Sequence, residues 1–212
     1  MDVTILGFRD GSATERIVNT TSRSSTWSRG LSPFFLGPVD LYGGFSAKNV
    51  ENAWQYCKVY SKHLDGLGNP APAYFAWAES GWRKAYADRY PMGKGAVPEY
   101  SFWDGQKLDC ISARLKIYAP VYSRAVKCSP AFQKLQEYAA NSQSVALLDF
   151  DGWNHDALGM SLEDAFLSSK KKLGHAFVLK ALLVHGENFD RWLDALAARH
   201  QSSLVPKPRP SL

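Results

Sequence analysis

Glu51-Asn52-Ala53-Trp54-Gln55-Tyr56-Cys57-Lys58 is the stretch on which the reading of this chain turns. A helix is expected from just after Ser46 to about His63. Residues three, four and seven apart share one helix face, so Glu51, Trp54, Gln55 and Lys58 form a stripe with Lys62 below it. Val50, Ala53, Cys57 and Tyr60 form the apolar face roughly opposite. On spacing alone, the pattern favours an amphipathic helix showing its polar side to water. Trp54 argues against that, because an exposed Trp usually has a neighbour. If the stripe faces a pocket, a carboxylate and an amine stand about 10 Å apart along the axis, at ~1.5 Å rise per residue. Long side chains can then converge on one substrate. A lysine amine is nucleophilic only when neutral, and a free pKa of about 10.4 leaves well under ~1% neutral at pH 7. Burial or nearby cations must therefore lower it.

Outward from this stretch, the pattern is mostly helical. Residues 3–8 are apolar and β-branched before Asp10-Gly11, which reads as a strand and a turn. Residues 19–30, rich in Ser, Thr and Arg, read as a surface loop, and 32–44 as loop with a short strand at 39–42. After the 65–72 Gly/Pro loop comes a helix over 73–88, ended by Pro91, Gly93 and Gly95. Asp109 caps a helix over 110–126 that Pro120 should kink. Ser129-Pro130 opens a helix to about residue 141. Residues 145–150 read as a buried strand. Ser161-Leu162-Glu163-Asp164 resembles a capping box, and helices follow over 173–185 and 188–200. The expected fold is α+β, mostly helical with a small central sheet. One domain covers 1–204, followed by a loose Pro-rich tail over 205–212.

Composition bounds the function. The chain has 212 residues, 45% hydrophobic and 21% charged, enough to bury about 70% of its unfolded surface. Seven Trp, 10 Tyr and 11 Phe can build a core or line pockets for flat rings. A net charge of +5 favours approach to a polyanion, although a mildly basic soluble protein has the same value. Cys57, Cys110 and Cys128 are odd in number and widely spaced, which disfavours a disulfide framework or a structural zinc site. The N-terminus has neither the basic start nor the apolar run of a signal peptide, and no ~20-residue apolar stretch spans a membrane. The expected location is cytoplasmic, with no membrane partner.

Three further segments hold candidate ligand groups. In Tyr90-Pro91-Met92-Gly93-Lys94-Gly95 the glycines permit close backbone approach and Lys94 can meet a phosphate, but a plain surface turn fits equally. Asp149-Phe150-Asp151-Gly152-Trp153-Asn154-His155 follows a strand, where ligand groups commonly sit. Asp151 suits ribose hydroxyls and Trp153 a base, while a capped loop is the alternative. Lys171-Lys172-Leu173-Gly174-His175 can form an anion site at a helix start, and a structural role for His175 is the more frequent outcome. No GxSxG or HExxH is present, and no metal set is recognisable.

Leu31-Ser32-Pro33-Phe34-Phe35-Leu36-Gly37-Pro38-Val39-Asp40-Leu41-Tyr42-Gly43-Gly44, followed by Val50 to Lys58, resembles the opening of the NADAR (YbiA-like) superfamily. That family shows a Ser-Asn-Phe and Pro segment, a short strand ending at Gly, then Glu-His-Ala-Tyr-Gln with a Lys three residues on. A closer resemblance is to early proteins of T-even-type tailed phages. It is carried by Tyr90 to Gly95, Tyr100-Ser101, Trp103-Asp104-Gly105 and Leu173 to Leu179. Together the matches span about residues 30–186.

The resemblance implies an ADP-ribosyl N-glycosidase that removes ADP-ribose from guanine in DNA without metal or organic cofactor. Lys58 would form a Schiff base with the opened ribose, and Glu51 would orient substrate or move the proton. Ser32, Phe34, Phe35, Trp54, Gln55, Lys94, Asp151, Trp153, Gly174 and His175 are the candidate substrate contacts. The partners implied are ADP-ribosylated DNA and the product ADP-ribose, in the cytoplasm of a phage-infected host whose DNA-modifying toxin is opposed. Alternatives are a hydrolase of a free ADP-ribosylated nucleotide or NAD-derived metabolite, a non-catalytic ADP-ribose or nucleic-acid binding protein, and an inhibitor of a host partner. The family's usual His is Asn52 here, its Asn-Leu-Leu-Gly is Lys171-Lys172-Leu173-Gly174, and the order around Asp151 and Trp153 is altered.

Overall fold

The computed structural model describes residues 2–8, 10 and 17–204. Strand β1 (Asp2–Gly7) lies beside the most buried strand of the chain, β8 (Ser144–Asp149), and β2 (Ile17–Asn19) lies on the other side. Both pairings are parallel, with Val3 opposite Val145 and Ile5 opposite Leu147. A strand covered on both faces reads as a continuous apolar run, which is why Val145-Ala146-Leu147 was legible.

The expected single sheet is in fact three. Strands β3 (Val39–Asp40) and β4 (Ser46–Ala47) form a second, and β5 (Lys58–Val59), β6 (Tyr100–Trp103) and β7 (Gln106–Leu108) a third. The β6–β7 hairpin turns through Asp104 (φ 45°) and Gly105 (φ 76°). Asp-Gly is the favoured pair for two consecutive positive φ angles, a local signal the sequence did contain.

The central helix is shorter than expected. Helix α1 covers only Val50–Tyr56, capped by Asn49, whose side chain accepts from the Asn52 N–H at 2.8 Å. The chain leaves the helix at Cys57 and enters β5. Tyr74 Oη donates to the freed carbonyls of Tyr56 and Cys57 at 3.3 and 3.1 Å, so the break is satisfied from inside the core. Helix α2 (Pro72–Trp82) likewise stops short of the expected residue 88. Its Gly81 sits against the ring of Tyr56, where a Cβ would collide.

The expected kink at Pro120 appears as a π-turn over Arg114–Tyr118, between α3 (Cys110–Ala113) and α4 (Ala119–Lys127). Pro120 has no N–H to continue the ladder, and the wider turn just before it absorbs the mismatch. Helices α5 (Pro130–Ala140), α6 (Leu162–Leu167), α7 (His175–His185) and α8 (Phe189–Leu204) complete the layer. Ser161 and Asp164 form the expected capping box. Residues 176–182 of α7 are all buried, with α7 packed between the β1–β8 sheet and helices α4 and α8. One contiguous core runs from Val3 to Leu196. The class is α+β with helix predominating. No described helix is long and apolar enough to cross a membrane. The expected 205–212 tail lies outside the described residues.

Candidate active site

A cavity of about 450 Å³ opens beside α1, within the roughly 300–1,000 Å³ common for small-molecule sites. Its walls come from α1, the 83–99 segment between α2 and β6, the turn after β8 and the approach to α7. Glu51, Trp54, Gln55 and Lys58 all line it.

Lys58 reaches the cavity from β5 rather than from the helix. Strand residues alternate sides, so with Val59 fully buried in the core, Lys58 points the other way. Its Nζ donates to Gln55 Oε1 at 2.8 Å, and Gln55 Nε2 donates to Glu51 Oε1 at 2.9 Å. A side-chain amide therefore bridges the acid and the amine. Far from facing bulk water, Glu51 and Gln55 are buried, and Trp54 packs on Tyr118 at 5.1 Å.

Burial pushes the Glu51 carboxyl above its usual range, against the Gln55 hydrogen bond and the charges of Lys58, Arg89 and His175. Burial also lowers the Lys58 amine. Cys57, Glu51 and Cys110 oppose that shift, and the Lys172 cation reinforces it. The Trp54 ring, 4.7 Å from Nζ, favours the cation and works against the lowering. Both shifts favour the uncharged forms, a carboxyl that can give a proton and an amine with a free lone pair. Such a pair titrates as a unit.

Several expected contacts occupy the walls, but some are already engaged. Ser32 and Phe34 line the cavity. Asp151 lines it too, and accepts from Arg89 at 3.0 Å. Gly174 and His175 do not offer a vacant anion site. The Asp149 carboxylate fills that place, accepting from the Ala176 N–H at 3.0 Å and facing His175 Nδ1 at 3.1 Å. His175 Nε2 meets the Thr20 carbonyl at 2.8 Å, so the ring is held structurally.

Three expected residues are not on the wall. Trp153 is buried, donates to the Lys172 carbonyl at 2.9 Å and packs on Phe177. Phe35 points away, half exposed beneath Arg29. Lys94 is exposed, although Gly93 and Gly95 beside it line the cavity.

The sequence reading missed Arg89, Tyr118 and Arg114. Arg89 lies over the Phe150 and Tyr90 rings at 5.0 and 5.4 Å, beside Asp151. Its only local trace was a position just before the Pro/Gly turn. Arg114 is buried and donates to the carbonyls of Ala165, Phe166, Ser168 and Lys171, which fixes the wall segment before α7. Lys180 likewise pins the loop after β8, donating to His155 Nε2 at 2.9 Å and Asp156 Oδ2 at 2.8 Å. Among the described residues, no group of three or more His, Cys, Asp or Glu is placed to hold a metal ion.

No family model matches the chain, and no curated protein or solved structure matches it.

Proposed function

We propose that the chain is an ADP-ribosyl N-glycosidase of the NADAR type that removes ADP-ribose from guanine in DNA, undoing a host toxin's modification during phage infection. The observation that carries this reading is the Glu51–Gln55–Lys58 bridge on the wall of a nucleotide-sized cavity. An acid and an amine, both biased toward neutrality, suit Schiff-base chemistry at an anomeric carbon.

In this mechanism, protonated Glu51 gives its proton to the ribose ring oxygen as the C1′–O4′ bond breaks. The neutral Lys58 amine forms a bond to C1′ and returns a proton to Glu51. The base then leaves with the C1′–N electron pair, taking that proton, and a C1′=Nζ iminium remains. Water adds at C1′ and the amine departs, so ADP-ribose is released and Lys58 and Glu51 regain their starting forms. Trp54 and Phe34 supply ring contacts on the wall. Of the expected phosphate-binding lysines, Lys172 is the wall cation assigned to the pyrophosphate, with Arg89 beside Asp151 on the same wall.

The test is incubation with guanine-ADP-ribosylated DNA, with free ADP-ribosylated nucleotide in parallel. Release of ADP-ribose from the DNA, lost in Lys58→Ala, supports the reading. Release from the free nucleotide alone makes the protein a metabolite hydrolase, and no release from either substrate makes it a binding protein.

A further inference from the structure

Four cations at the cavity mouth have no carboxylate partner among the described residues: Arg23, Lys94, Lys171 and Lys172. They come from three separate stretches of chain. Arg23 follows the wall residue Ser22 and lies 5.4 Å over the Phe150 ring. Lys94 stands between the wall glycines Gly93 and Gly95. Lys171 lies 4.8 Å over Trp153, next to the wall residue Lys172. The other basic residues of the 83–99 segment are neutralised locally, Arg83 by Glu79, Lys84 by Asp88 and Arg89 by Asp151. On the 83–99 segment the charge left without a carboxylate partner is thus that of Lys94, at the rim.

Exposed aromatic rings lie on or beside the stretches of chain that bear these cations. Tyr86 is 65% exposed and Tyr90 42%, both on the 83–99 segment. Phe8, 53% exposed, stacks on Phe150 at 4.8 Å. The segment bearing the tyrosines is well anchored, because Asn52 donates to the carbonyls of Lys84 and Tyr86 and accepts from the Asp88 N–H. Its rings are therefore presented by a held backbone. Flat exposed rings interleaved with unpaired cations are what an unstacked polynucleotide binds, rings to bases and cations to phosphates. A duplex hides its base faces, and its modified base would have to leave the stack to reach Glu51 and Lys58 inside the cavity.

We propose that this rim is a binding platform for single-stranded DNA, with phosphates on Arg23, Lys94 and Lys171 and bases on Tyr86 and Tyr90. The proposal rests on the reading of the cavity as a DNA-directed glycosidase site. It is tested by fluorescence anisotropy with an unmodified, labelled oligonucleotide as single strand, as duplex and as RNA of the same sequence. The single DNA strand should bind at least tenfold tighter than the duplex. The Arg23→Ala/Lys94→Ala/Lys171→Ala variant should lose at least tenfold in affinity, and its log–log salt slope should fall by about 2, at roughly 0.7 per phosphate contact. Tyr86→Ala should weaken binding without changing the slope. The triple variant should still release ADP-ribose from a modified mononucleotide, which also shows it is folded. Equal or tighter duplex binding, tighter RNA binding, or unchanged affinity in the triple variant overturns the proposal. If no substrate is turned over but oligonucleotide binding responds as stated, the platform stands and the glycosidase reading falls.

Discussion

The Gln55 amide places its Nε2 2.9 Å from Glu51 Oε1, one helical turn away on α1, while its own Oε1 accepts from Lys58. The helix ends two residues before Lys58, and the bridge spans that break. Glu51→Gln should therefore reduce ADP-ribose release by roughly 10²–10⁴-fold in kcat, the usual contribution of a positioned proton-transfer group. Gln55→Leu should cut it less, by at least about tenfold, because it removes orientation but leaves both reacting groups. Steady-state kinetics with circular dichroism as a folding control checks both.

The pH dependence follows from the same pair. The proposed mechanism needs Lys58 neutral and Glu51 protonated, so the rate against pH should be bell-shaped, with both limbs belonging to the pair. Burial lowers the amine and raises the carboxyl. In Glu51→Gln the alkaline fall should vanish, and the residual rate should rise with pH to a plateau below the ordinary lysine value of about 10.4. A retained alkaline limb would assign that limb to another group.

Stability should move opposite to activity at Lys58. A buried amine with a lowered pKa contributes stability above its ordinary pKa, and that contribution is lost as pH falls through the folded-state value. At pH 7 its cationic form opposes folding. Lys58→Met should therefore raise Tm by a few degrees, at about 2–4 °C per kcal/mol for a chain of this size, while abolishing release. The gain should shrink as pH is raised. Calorimetry at two pH values reads this directly.

Gly81→Ala tests how α1 is seated. The new methyl would meet the Tyr56 ring, and overpacking of this kind costs about 1–3 kcal/mol. A lower Tm is expected, together with weaker activity, since α1 carries Glu51 and Gln55. An unchanged Tm would show that the Tyr56 ring moves aside freely.

Much of this was legible in the sequence because it is local. Ser129-Pro130, the Ser161–Asp164 box and the apolar run at 145–147 each signal their element within a few residues. Glu51, Trp54, Gln55 and Lys58 were legible as one group. Lys58, however, faces the cavity through strand alternation and not through the helical stripe. The early end of α1 depends on Tyr74, 17 residues on, taking the Cys57 carbonyl at 3.1 Å, and no local pattern encodes that. Asp149 filling the N-terminus of α7 and Arg114 holding the 165–171 carbonyls are likewise long-range contacts. They decide which wall groups remain free for a ligand: Lys172 has no carboxylate partner among the described residues, whereas Arg89 is held by Asp151.

Borohydride trapping tests the central claim most directly. The protein is mixed with guanine-ADP-ribosylated DNA and sodium borohydride, digested, and mapped by mass spectrometry. A reduced ribosyl adduct on Lys58, absent in Lys58→Arg and absent without borohydride, is the predicted result. Undiminished release of ADP-ribose with no adduct on Lys58, or release that persists in Lys58→Ala, would contradict it.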